Sequence, residues 1–157
     1  YQKMANTDLM TQLNSRTAFE ERVRQSPILN GSCACIVVDI NNLKQANDTM
    51  GHSAGDELIC AAAECILSVF ESLGCCYRMG GDEFAVLLQN ITEPQVNRAL
   101  SELELCIGRR NLMRSFPLSL AAGYAMGQDA AIEQLFCEAD ANMYRNKSQM
   151  KCHTIEL

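Results

Sequence analysis

The densest group of reactive side chains in the sequence is Arg78-Met79-Gly80-Gly81-Asp82-Glu83-Phe84. Glycines let a backbone turn tightly and leave room for a ligand to approach it. Two successive acids leave that turn at the mouth of the apolar run beginning at Phe84. About forty residues upstream, Asp39 ends another apolar run, Cys33 to Val38. Paired carboxylates with an open face suit Mg²⁺ or Mn²⁺, ions that keep waters and accept substrate phosphate oxygens. If a hairpin built on Gly80-Gly81 pairs with the upstream strand, Asp39 and Asp82 meet at one sheet edge. The plainer reading is a solvated acidic turn, and a Gly-Gly-Asp alone would favour it.

These acids need a scaffold, and the sequence supplies one. Cys33 to Val38 is continuous, apolar and rich in β-branched residues, as expected of a strand buried on both faces. Cys75 to Met79 and Phe84 to Leu88 flank the glycine pair, a hairpin signal. Thr11 to Val23 is expected to be a helix, with Asn14 or Ser15 as N-cap, followed by a loop over Gln25 to Ser32. Asn41 to Gly51 reads as a short helical turn and a loop. From Gly55 a long helix is expected, because Leu58, Ile59, Ala62, Ile66, Val69, Phe70 and Leu73 recur at three- and four-residue steps. A helix over Pro94 to Arg110, a strand over Leu118 to Ala125, a helix over Ala131 to Lys147 and a last strand over Cys152 to Leu157 complete the pattern. The order β-α-β-β-α-β-α-β predicts an α+β domain whose five-stranded, mainly antiparallel sheet is flanked by helices.

A chain of 157 residues is about one domain's worth. It begins at Tyr1-Gln2-Lys3-Met4, which reads as a piece cut from a longer protein with an upstream region. No apolar run is long enough to span a bilayer and no signal-peptide pattern opens the chain, so a cytoplasmic domain is expected, within a full-length protein that a membrane anchor elsewhere would not contradict. Nine cysteines without CxxC spacing, several in apolar strings, read as reduced, buried thiols rather than zinc ligands. The net charge of −6 with scattered Lys and Arg argues against a nucleic-acid or anionic-membrane surface. An acidic protein still binds a polyphosphate where carboxylates hold a bridging cation.

Four motifs, in order across nearly the whole chain, resemble those of the GGDEF domain family. Gly80-Gly81-Asp82-Glu83-Phe84 is its signature pentapeptide, intact. The segment from Asp39-Ile40-Asn41-Asn42-Leu43-Lys44 through Asn47-Asp48 to Gly51-His52-Ser53-Ala54-Gly55-Asp56 is similar to its second motif. Asp8-Leu9-Met10-Thr11 resembles the opening motif, and Ala139-Asp140 through Tyr144 to Lys147 the last. Such a conjunction is far more specific than any single pattern. The resemblance implies a fold like the polymerase palm and the nucleotidyl cyclases, and a diguanylate cyclase activity that condenses two GTP into cyclic di-GMP. It implies that two such domains face each other, each with one GTP. Asp39, Asp82 and the Ile40 carbonyl would hold the metals, and Glu83 would complete that site or help deprotonate the attacking hydroxyl.

Asn47 and Asp56 fall where the family recognises guanine. Guanine offers N1–H and an exocyclic amine to a carboxylate, whereas adenine would set acceptor against acceptor. The plainer readings are an Asx turn at Asn47, and at Asp56 a first-turn helix acid behind Ser53 as N-cap. Lys44, Lys147 and Lys151 are candidate phosphate contacts, with backbone N–H groups of Asn42, Leu43 and Lys44 as a cradle. For Lys147 and Lys151 the plainer reading is a helix C-terminus. His52 reads as structural.

Asn41 stands where the family has an aspartate, Leu43 replaces a phenylalanine, and Met150-Lys151 replaces Gly-Arg. Asn41 keeps open a second reading, a catalytically weak or inactive module that binds GTP or a protein partner. Many relatives carry an Arg-x-x-Asp inhibitory site where this chain has Glu71-Ser72-Leu73-Gly74, so no product inhibition is expected there.

Overall fold

The computed structural model describes the backbone of residues 5–156 and the side chains of residues 5–151, so the opening Tyr1-Gln2-Lys3-Met4 lies outside it. Its elements are α1 (Arg16–Gln25), β1 (Ile28–Ile40), α2 (Leu43–Met50), α3 (His52–Phe70), β2 (Gly74–Arg78), β3 (Glu83–Gln89), α4 (Glu93–Asn111), β4 (Leu120–Ala131) and α5 (Ile132–Glu156). The strands form one sheet in the order β2-β3-β1-β4, every pair antiparallel.

Strand β1 is central and buried on both faces, and its side-chain alternation sorts the core into two layers. Ala34, Ile36, Val38 and Ile40 pack with Leu58, Ile66 and Phe70 of α3 and with Val96 and Leu103 of α4. Cys33, Cys35 and Val37 face Phe19 of α1 and Ile132, Leu135, Ala139 and Met143 of α5. Helix α1 begins later than expected: Ser15 is its N-cap, accepting from the Ala18 N–H at 3.2 Å, and residues 11–14 form a turn and a bridge instead. Thr92 and Gln95 close a reciprocal capping box at the start of α4.

Three expectations are corrected. The loop expected to run to Ser32 ends at Pro27, because Asn30-Gly31 marks an irregularity inside β1 and not a turn between elements. Pairing with β4 shifts between Leu29 and Ser32, Gly31 takes φ of 72°, and its N–H donates to Asp129 Oδ1 at 2.7 Å. The polar stretch after Asn41 is a full helix, α2, and α3 starts three residues before Gly55. The sheet has four strands and not five, because α5 continues through residues 152–156, where a last strand was expected. No glycine or proline follows Ala131, and Met150 occupies the place of the family's glycine, so nothing in the sequence stops the helix.

The outer edge of β4 is occupied by α5. Asn142 Nδ2 donates to the Tyr124 carbonyl at 2.8 Å, and the Ala122 N–H donates to Asn146 Oδ1 at 3.1 Å. Two amides one helical turn apart thus satisfy backbone groups that an edge strand leaves open. Of the described residues' thiols, Cys33, Cys35, Cys65 and Cys76 are buried as expected, whereas Cys75 and Cys137 are exposed. No helix among the described residues is long and apolar enough to cross a membrane.

Helix α5 can lie this close only because residue 123 is glycine. A Cβ there would stand 2.1 Å from the Met143 nitrogen and 2.6 Å from the Ala139 carbonyl oxygen, both helix backbone. Gly123→Ala is therefore expected to lower the unfolding free energy by about 3 kcal/mol. Urea denaturation checks this, and an unchanged midpoint would mean that α5 rides further from the sheet.

Candidate functional site

The acids meet because of strand register. Asp39 pairs directly with Glu83, and the Ile40 N–H donates to the Asp82 carbonyl at 2.9 Å. Directly opposed residues of an antiparallel pair project to the same face, so Asp39 and Glu83 emerge together at the end of β1, with Asp82 against them. This is the end of the central strand and not the side of the sheet. Asp39 is 8% exposed. Its Oδ2 accepts from Lys147 Nζ of α5 at 2.5 Å, and its Oδ1 is buried with no hydrogen-bond partner.

Crowding sets the electrostatics. Burial pushes the Asp39 carboxyl up, the Lys147 hydrogen bond pulls it back, and neighbouring Asp82 raises it again. Burial also raises Glu83, reinforced by Asp140 of α5 and then by Asp39 and Asp82. Sequence reasoning gave Asp140 no part. A buried oxygen with no donor, among acids whose crowding raises Asp39 and Glu83, is the environment a divalent cation relieves. Among the described residues no three His, Cys, Asp or Glu side chains close into a cage. An open set fits Mg²⁺ or Mn²⁺, which need only one or two carboxylates when phosphate and water supply the rest.

Beside the acids lies a cleft of about 860 Å³ lined by Ile40, Asn42, Leu43, Lys44, Asp82 and Lys147, among others. Helix α2 opens on this cleft. Its N-cap Asn42 is left-handed, with φ of 62° and ψ of 27°, a conformation asparagine tolerates well, and its side chain makes no capping bond. The first N–H groups of α2 therefore lack a side-chain cap, an anion-binding arrangement. Lys44 and Lys151 are exposed at the rim. Asn41 is buried and donates through Nδ2 to Ser119 Oγ at 3.0 Å, so its amide is tied to the strand wall.

Several plainer readings fail. Lys147 and Lys151 lie within α5 and not at its end. Gly51, not Ser53, is the N-cap of α3. Asn47 lies inside α2, and its Oδ1 is buried without a partner, so no Asx turn employs it. Asp56 is exposed in the first turns of α3, and exposed His52 opens that helix.

One tie went unforeseen. Arg78 Nη1 reaches both carboxylate oxygens of Asp8 at 3.2 Å, while its Nε and Nη2 donate to the Gly80 and Gly81 carbonyls at 3.0 and 3.1 Å. One planar guanidinium thus binds the opening segment to the glycine turn. Burial alone would raise the Asp8 carboxyl, but hydrogen bonds from Thr11 and Arg78 outweigh it and hold it low. An arginine two residues before a glycine pair was the available signal, and only the fold reveals its partner.

The raised pKa of Glu83 makes a prediction about stability. The folded state binds this proton more tightly than the unfolded chain, so the group favours folding at low pH and opposes it as pH rises past its raised value. In chelator, Glu83→Gln is expected to melt roughly 1–3 °C above the parent at about pH 7.5, a modest gain because Glu83 is partly solvated, with the gap closing towards about pH 4. A variant that melts lower at neutral pH would contradict the crowding.

Comparison with known proteins agrees with this geometry. The sequence pattern of the family described as diguanylate cyclase, GGDEF domain, matches residues 5–153. The chain is 30% identical over 159 residues to the diguanylate cyclase DgcS of Shewanella oneidensis, covering 94% of this chain and 52% of that protein. It is 32% identical over 152 residues to the cyclic di-GMP phosphodiesterase PdeR of Escherichia coli, covering 92% of this chain and 23% of that protein. The crystal structure of the GGDEF domain of DgcB from Caulobacter crescentus in complex with c-di-GMP is similar at a TM-score of 0.80 and 26% identity, covering 92% of this chain and 91% of that one. The chain spans about a quarter to a half of the length of these two curated relatives. A pattern matched from residue 5 to residue 153, on a fold that carries the glycine turn opposite Asp39, means that the chain belongs to the GGDEF domain family.

Proposed function

We propose that this domain is a diguanylate cyclase, the catalytic unit of a longer signalling protein, which condenses two GTP into cyclic di-GMP. The observation that carries the reading is the convergence of Asp39, Asp82 and Glu83 at the end of β1, beside the uncapped start of α2. The 3′-hydroxyl of one GTP attacks the α-phosphate of the other, a phosphodiester forms, and the bond to pyrophosphate breaks. Two such steps close the ring and release two pyrophosphates.

The residues divide that work. Asp39, Asp82, Glu83 and the Ile40 carbonyl would hold Mg²⁺ or Mn²⁺, which when bound stabilises charge on the attacking and leaving oxygens. Glu83, opposite Asp39 at the end of β1, would complete that metal site or help take the proton of the attacking hydroxyl. Backbone N–H groups of Asn42, Leu43 and Lys44 cradle phosphates, joined by the Lys44 and Lys151 ammonium groups. Lys147 leaves Asp39 for phosphate when nucleotide arrives. Asn47 and Asp56 select guanine. Each domain presents one nucleotide, so catalysis needs two domains facing each other, brought together by the region upstream. Product inhibition at the site that relatives build from Arg-x-x-Asp is not expected, since a Cβ at Gly74 would stand 2.1 Å from the Leu87 carbonyl oxygen and leaves no place for an aspartate.

The second reading, a module that binds GTP without turning it over, is favoured by Lys147 already neutralising Asp39 and by the uncharged Asn41. One experiment separates the two. Concentrated domain with GTP and Mg²⁺ is expected to yield cyclic di-GMP by mass spectrometry, and Asp82→Ala to reduce the yield at least a hundredfold, the scale of losing a metal-holding carboxylate. GTP binding without product, in a domain fused to a dimerising helix, would select the second reading.

A further inference from the structure

Glycine is a poor helix former, yet Gly55 sits buried in the first turn of the 19-residue α3, immediately before Asp56. Its backbone is ordinary helix, with no left-handed φ that would require glycine. What requires it is occupancy. A Cβ on residue 55 would stand 1.9 Å from Asn47 Oδ1, 2.7 Å from Cγ and 2.9 Å from Nδ2. The Asn47 carboxamide fills the volume that any other side chain at 55 would take. Its oxygen is buried there with no hydrogen-bond donor. The neighbouring helices thus lock together through a side chain laid on a bare backbone: Asn47 from α2, Gly55 and then Asp56 from α3.

We propose that Gly55 is a positioning residue for guanine selection, setting the Asn47 carboxamide beside Asp56 so that both address one base. The inference rests on the assignment of Asn47 and Asp56 to base recognition. An amide stacked on the Gly55 backbone has few positions open to it, so it meets a base with little ordering left to do. A methyl at 55 forces it out of the overlap; the three atoms nearest that methyl all belong to Asn47, which does not line the phosphate cleft. The effect of substituting Gly55 therefore passes through Asn47 and falls on the base, not on the triphosphate.

The probes are 3′-deoxy-GTP and 3′-deoxy-ATP with Mg²⁺, which bind but lack the attacking hydroxyl, measured calorimetrically on single and double variants. Asn47→Ala is expected to weaken 3′-deoxy-GTP at least tenfold and to leave the weaker 3′-deoxy-ATP within twofold. Gly55→Ala is expected to do the same in the presence of Asn47, and to add less than twofold on the Asn47→Ala background. Additive losses, equal losses for both nucleotides, or a Gly55→Ala domain that binds like the parent would overturn the role of Gly55 while leaving Asn47 its own. Parent-like binding by Asn47→Ala would instead remove the base-recognition reading, and the proposal with it. Melting temperatures cover the variant that fails to fold. If Gly55→Ala unfolds but Gly55→Ala with Asn47→Ala is stable, the amide is the clashing group and the overlap is upheld. If both unfold, another neighbour needs the glycine and the proposal falls.

Discussion

The antiparallel pairing of β1 with β3 is the constraint on which the site depends. Seven consecutive pairs run from Cys33 opposite Gln89 to Asp39 opposite Glu83, so the position of the acids is decided along the whole ladder and not at the turn. Side chains alternate with a period of two, and a slip of one residue would exchange the two faces of β3. Phe84, Val86 and Leu88 would then leave the α3–α4 layer, and Glu83 would leave Asp39. Core burial therefore enforces the register, and the register delivers the carboxylates. The same apolar residues that stabilise the fold also aim its chemistry, which is why Asp39 can be held at the end of a strand otherwise free of polar side chains from Cys33 to Val38.

That delivery has an electrostatic cost. Burial and mutual repulsion raise Asp39 and Glu83 together, and one ammonium, that of Lys147, is placed directly on Asp39. Under the proposed function, a site that would take a cation and a polyphosphate is electrostatically unfavourable without them. The observed ion pair and the phosphate contact proposed for Lys147 are compatible only in sequence. While it neutralises Asp39 it would be unavailable to phosphate, and on the proposed reading a cation that displaced it would free it for the anion arriving with that cation. On that reading the ion pair would link metal and nucleotide, each making room for the other.

The sheet was legible in the sequence where periodicity was strong. The buried run at 33–38, the glycine hairpin, and the apolar faces of α3 and α4 rest on patterns that local physics enforces. One misreading had a local signal whose meaning tertiary pairing decided. Asn30-Gly31 has the chemistry of a turn, yet Asp129 across the sheet captures the Gly31 N–H and makes it part of a strand. The tail, expected as a strand, continues α5, since Met150 stands where the family has a glycine and nothing stops the helix. At the site, the acids and lysines stood out by type. Gly55 and Arg78 lay within the site motifs without a role, because a missing Cβ and a forked guanidinium declare their partners only in three dimensions.

Helix α5 ties these levels together. Gly123 admits it to within backbone contact of β4, and Asn142 and Asn146 fix its register by hydrogen-bonding the strand's open edge. Lys147 follows Asn146 directly, so the hydrogen bond that pins Asn146 to Ala122 also sets where the ammonium can reach. Ala122 in turn pairs with Val38, the residue before Asp39. A closed path therefore runs from Asp39 along β1 to Val38, across the sheet to Ala122, out to Asn146 and back through Lys147 to Asp39. Its links are covalent steps, a hydrogen bond, an ion pair and, between Val38 and Ala122, a close cross-strand pairing without mutual hydrogen bonds, since the Ala122 N–H is engaged by Asn146. A side chain as long as lysine is ordinarily a loose point charge; here the loop holds its base to the strand that carries its acid.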